Sequence, residues 1–228
     1  MRLYPLAWLA ALLPLATINL TFLLSASHGQ VDWCIPYLHS CTSISATGRE
    51  PPAYFVFKGL MIPAAVLLML YWLLCTAWLR TLGCHHKHWR TLVVCLGLLG
   101  SSGLAFYSLM LGWIGEVYRF HRQTGVTAFF GFSFFAQLVV AWLLERCAGV
   151  RQNFARQLGW LRINAGLIWL LGLASILMGY ISPDLYKRTD DAIAWNFTLL
   201  LCCHLLITGD LWRRTGWRLV FDLDRSSI

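Results

Sequence analysis

Two ionisable side chains stand inside apolar stretches, where their chemistry is most conspicuous. His204 lies near the middle of "LLLCCHLLITGD", and Lys58 lies about two turns inside a run that opens "AYFVFKGLMIPAA". Burying an ionisable group in hydrocarbon is costly, so such residues are functional candidates by default. His204 could act as a general acid or base on an ester, ligate haem, or close a hydrogen-bond network between helices. Asn19, Ser101, Ser102 and Ser175 lie at comparable depth as partners for such a network. Haem is the weaker option, because bis-histidine ligation needs a second histidine at mid-depth. Asp210 follows His204 by six residues, about 120° around and about 9 Å along a helix, so the two form no dyad. Arg213 and Arg214 stand three and four residues beyond Asp210, where helical ion pairs meet.

A second constellation gathers at polar connections. "SISATGREPPAYFVFKG", residues 43–59, is punctuated by Gly48 and Pro51-Pro52 and runs straight into the apolar segment. Prolines there suit the first turn of a helix, where a missing N–H is no loss. Lys58 then lies about 9 Å below the helix start, free to snorkel to the surface or to pair with a carboxylate. Glu116, Arg119, His121, Arg122, Asp184, Asp190 and Asp191 belong to connections on the same face. A solvated rim and a site for a lipid headgroup or anchored substrate both fit this set. For the site, Ser45, Thr47, Arg49 and Lys58 are the expected headgroup ligands, with Glu116 and His121 beside them. If chemistry occurs, acyl transfer or hydrolysis is expected, with His204 or His121 as base. Ser43 and Ser45 are the candidate nucleophiles.

Other suggestive residues carry less. "CHHKHW", residues 84–89, lacks a second ligand cluster at finger spacing, so no metal is assigned. No cofactor is assigned either. Cys75, Cys95, Cys202 and Cys203 fall in apolar runs, where free cysteine packs as a small apolar residue. Cys84 and Cys147 are read as reduced thiols on the cytoplasmic side. Cys34 and Cys41 share a loop where oxidation is allowed, and a bridge between them stays open because spacing alone does not settle geometry. The sequons at Asn19 and Asn196 lie within apolar runs and out of reach of glycosylation.

The elements that must position these residues follow from composition. The 228 residues are 58% hydrophobic and 12% charged, about half the charge of a soluble domain. Apolar runs at 6–26, 53–79, 91–114, 125–144, 163–181 and 193–212 are each long enough to cross a bilayer. The first could be a cleaved leader, but its length, Pro14 and Asn19 favour a retained span. The expected fold class is therefore all-α: a polytopic six-helix transmembrane bundle forming one domain over 1–228. With six spans, 12 of the 18 Lys and Arg residues share a side with the termini, which the positive-inside rule places in the cytoplasm. The net charge of +8 reflects topology and contact with anionic lipid, not nucleic-acid binding.

The loop also carries a resemblance. "ISATGREPPAYFVF" is similar to the signature of the FRAG/DRAM/SFK family of six-span membrane proteins, I-S-x-T-G-x-x-P-P, then an acidic residue and a Phe four further on. Ile44, Ser45, Thr47, Gly48, Pro51, Pro52 and Phe57 match it. His121 resembles that family's histidine before the fourth span, and Ala194-Trp195 its Glu-Trp pair opening the sixth. The His204-x5-Asp210 spacing, Cys34 and Pro36 resemble the branch containing post-GPI-attachment-to-proteins factor two. Three departures are alanines: Ala46, Ala53 and Ala194 stand where acids are common. The resemblance implies lipid work at the outer leaflet, either GPI-type acyl remodelling or non-enzymatic control of lipid organisation or partner proteins. The implied partners are membrane lipids, with a lipid-anchored substrate as the narrower case. Fifteen arginines against three lysines suggest a GC-rich, bacterial genome. The chain would then reside in the inner membrane, or in a secretory-pathway membrane if eukaryotic.

Overall fold

The computed structural model describes residues 1–84, 86–113 and 115–218. Arg225, counted among the basic residues above, His85 of the histidine cluster and Ile114 lie outside the described residues. Nine helices are present among those described: α1 Tyr4–Ser27, α2 Pro36–His39, α3 Ile44–Thr47, α4 Ala53–Thr81, α5 Lys87–Met110, α6 Glu116–Arg146, α7 Ala148–Asn153, α8 Ala155–Ile181 and α9 Pro183–Arg214. Six of them, α1, α4, α5, α6, α8 and α9, are long and apolar enough to cross a membrane. The protein is an all-α, multi-pass membrane protein.

Three helices begin well before the apolar runs that announce them. α6 starts at Glu116, nine residues ahead of its apolar part, and α8 and α9 start similarly early. Hydropathy marks only the segment that must face lipid, whereas a helix extends wherever its backbone bonds continue. Gly115, at φ 125, begins α6 in a conformation open to few other residues, and Pro183 occupies the first turn of α9. α4 begins at Ala53 with Pro52 as its N-cap, so the prolines stand just ahead of the first turn, and the Pro51–Pro52 bond is cis.

The helices α1, α4, α5 and α6 pack in sequence, and α9 returns to lie against α1. α5 and α6 approach most closely, through small residues, as expected for helices in lipid. A Cβ at Gly103 would lie 2.8 Å from the Gly125 carbonyl oxygen, and one at Gly100 would lie 2.6 Å from Ser133 Oγ. Gly97 turns instead to α4, where the Trp72 ring occupies the space a side chain would need. The small residues of α5 therefore serve two neighbours. Ser101 is buried and bonds the Gly97 carbonyl at 2.8 Å, while Ser102 is exposed. α8 packs mainly on α9 and is the least buried of the six.

The first residues and the last described ones meet at one end of the bundle, where Arg2 and Arg218 form a β-bridge and Trp78 donates to Thr215 Oγ1 at 3.1 Å. At this end Cys84 and Cys147 are paired by their sulfurs, with Cα atoms 5.6 Å apart. This corrects the reading of two separate thiols, because the turn after α4 folds against the C-terminus of α6. The opposite end is covered by residues 28–52, in which Cys34 and Cys41 are bridged, with Cα atoms 6.6 Å apart.

Candidate functional site

The covering loop is held by hydrogen bonds to two helices. From α9, Trp195 Nε1 donates to the Thr42 carbonyl at 2.9 Å, Asn196 Nδ2 to the Tyr37 carbonyl at 2.7 Å, and the Ala192 N–H to Ser40 Oγ at 3.1 Å. From α1, Asn19 Nδ2 donates to the Tyr37 hydroxyl at 2.9 Å, and Thr21 and Thr47 hydroxyls lie 3.3 Å apart. Burial pushes the Tyr37 phenol above its usual range, so its hydroxyl keeps its proton in this contact. Ser43 caps α3, accepting from the Ala46 N–H at 3.1 Å. Gly48 then passes so close to α4 that a Cβ there would lie 2.6 Å from the buried Phe57 ring.

Beneath this loop lies a cavity of about 370 Å³, walled by α1, α4, α5, α6 and α9. Its upper end is polar, with Ser43, Ser45, Arg49, Arg119, Arg122 and Gln123. The Tyr107 hydroxyl of α5 stands among Ser45, Arg49 and Arg122. Arg119 Nη2 pairs with Glu116 Oε2 at 2.7 Å, and Arg122 Nη1 donates to the Trp113 carbonyl at 2.7 Å. Below the arginines the walls are mainly apolar, through Phe57, Met61, Leu104, Val126, Phe129 and Leu201, down to Leu68, Trp72 and Leu205, with Thr198, Ser133 and Gln137 as polar exceptions. From Arg122 to Gln137 the cavity follows α6 for 15 residues, about 22 Å.

The residues singled out from sequence divide sharply. Ser45 and Arg49 line the cavity. Thr47 is buried, with its hydroxyl engaged by the Ile44 carbonyl at 2.9 Å and by Thr21, so it anchors the loop. Lys58 lies off the cavity and pairs with no carboxylate among the described residues; Nζ donates to Tyr54 Oη at 2.6 Å and to the Leu109 carbonyl at 3.0 Å, in the last turn of α5. A cation there satisfies the carbonyl end of that helix. Glu116 is exposed and occupied with Arg119. His121 projects away from the cavity, its Nδ1 2.7 Å from the Val117 carbonyl and its ring against Phe106, and no contact joins it to Ser45. His204 is fully buried, but it does not line the cavity, and neither ring nitrogen has a hydrogen-bond partner among the described residues. The expected network is absent there: Asn19 bonds Tyr37, and Ser101 bonds its own helix.

Sequence reasoning placed Arg119 and Arg122 on a rim and overlooked Tyr107, Gln123 and the apolar lining. The signal was the phase of α6. Residues 119, 122, 123, 126, 129, 130, 133 and 137 recur at three- and four-residue steps and so share one face.

Comparison with curated proteins and with solved structures gives no match. A family model does match, over residues 2–207, which takes in the covering loop and five complete spanning helices with most of the sixth. The helical bundle, the Ile44-to-Phe57 loop folded over it, and this match together place the chain in the Frag1/DRAM/Sfk1/Cwh43P N-terminal domain family.

Proposed function

We propose that this protein handles a membrane lipid by holding one acyl chain in the cavity and its polar head at the mouth. The observation that carries the reading is a long, mainly apolar cavity that ends among Ser45, Arg49, Tyr107, Arg119 and Arg122. Apolar walls stabilise the chain by about 0.8 kcal/mol per buried methylene when the competing state is water. Against a bilayer that gain vanishes, and the polar mouth must supply the preference. Ser45 and Arg49 act as head ligands, Thr47 holds the loop over the head, and Lys58 fixes the adjoining ends of α4 and α5. The loop end faces the exoplasmic side, consistent with the basic bias toward the termini.

Lipid mass spectrometry on the purified full-length protein tests this. The wild type is expected to retain a lipid that Leu104→Trp and Val126→Trp lose while still melting cooperatively. A lipid-free wild type, or equal retention in both variants, would sink the reading.

A second reading is remodelling of that lipid or of a lipid anchor by acyl transfer or hydrolysis, with Ser45 as nucleophile. The positions of the histidines favour holding over transfer. Neither His121 nor His204 lines the cavity, so a base for Ser45 would have to move into place.

A further inference from the structure

We propose that the mouth selects a phosphate-bearing anionic head, and that Ala194 is the wall position that preserves this choice. The inference rests on the lipid reading above and adds the class of head. Three arginines, Arg49, Arg119 and Arg122, line one end of the cavity, and no aspartate or glutamate lines it among the described residues. Arginine stays protonated under all working conditions and offers a planar fork that matches phosphate oxygens. Each of the two α6 arginines commits a single nitrogen to the protein, Arg119 Nη2 to Glu116 and Arg122 Nη1 to the Trp113 carbonyl. The Glu116 pair is exposed on both sides and therefore weak. Ser45 and the Tyr107 hydroxyl stand among the same cations as neutral donors. The apolar wall below lowers the local dielectric, which strengthens attraction for an anion and the penalty for a cationic head such as choline.

Ala194 lines the cavity from α9, at the level where Ala192 and Trp195 hold the loop. A carboxylate at this position would face the arginines from within and take the place of the ligand's charge. The methyl group adds no negative charge to the wall facing them.

The test uses the purified full-length protein in detergent at about 0.15 M salt, where remote charges are screened. Three probes are compared: monooleoylglycerol phosphate, monooleoylglycerol and inorganic phosphate. The phosphate lipid is expected to bind at least about ten-fold tighter than the neutral lipid, the scale of one charge-assisted contact. That gap should shrink in Arg49→Gln and Arg122→Gln and close in Ala194→Glu, with all three variants melting within a few degrees of wild type. Glu116→Gln should widen it about two-fold by freeing Arg119. Equal binding of both lipids, lost together in Val126→Trp, would overturn the head selectivity and leave the lipid reading standing. Failure of both lipids to bind would overturn both. Inorganic phosphate displacing the phosphate lipid at equal concentration would show a free-ion site and also overturn the proposal.

Discussion

Residues of the same type hold quite different places in this protein. His204 was the conspicuous candidate for chemistry, yet it is fully buried, with both ring nitrogens unpartnered among the described residues. A buried polar group without partners costs about 1–3 kcal/mol, and its removal in favour of an apolar group of similar shape is near neutral or stabilising. His204→Leu is therefore expected to unfold at the same temperature as the wild type or a few degrees above it in a detergent melting assay. A loss of lipid retention in a well-folded His204→Leu protein would restore it as a working residue. Gly48 shows the opposite case, an inconspicuous residue under tight demand. Phe57 and Leu111 occupy the space its side chain would fill, so the loop can lie over the cavity only with glycine there. Much of the family-like motif thus has a mechanical basis: Thr47 bonds α1, Gly48 permits close approach, and Phe57 packs on Tyr107.

At the level of elements, the early start of α6 decides the site. Had residues 116–124 been a loop, the arginines and His121 would share one solvated rim. On a helix, Arg119, Arg122 and Gln123 line the cavity mouth together while His121 does not. The same helix depends on its contact with α5, where Gly103 and Gly125 bring two backbones together. Overfilling such a contact costs about 1–3 kcal/mol. Gly103→Val is expected to lower the melting temperature and also to weaken lipid retention, because α5 and α6 supply Tyr107, Arg119 and Arg122. A variant with unchanged melting would show that the helices can separate without cost.

For the whole molecule, an even number of spans brings the termini to one end, and the loop, the arginines and the cavity mouth to the other. Which end faces the cytoplasm is a matter of the basic bias, and labelling resolves it. Glu50 is exposed on the covering loop. In an otherwise cysteine-free, folded chain, Glu50→Cys should react with a membrane-impermeant maleimide added to intact cells. Thr215→Cys, at the terminal end, should react only after permeabilisation. The reverse pattern would invert the topology and place the mouth in the inner leaflet.

The amino-acid sequence by itself determined the class of this protein, because apolar length and scarce charge leave a chain few options in lipid. It determined the six spans, the loop motif and three residues of the mouth, Ser43, Ser45 and Arg49. It also carried the helical phase of α6, hidden because hydropathy does not report where a helix begins in polar surroundings. Only the tertiary structure decided that Lys58 serves a helix end, that His121 and His204 stand apart from the cavity, and that Cys84 meets Cys147. Those outcomes depend on the rotation of each helix about its axis and on which neighbour it meets. Both are set by packing between segments distant in the chain, for which no local pattern exists.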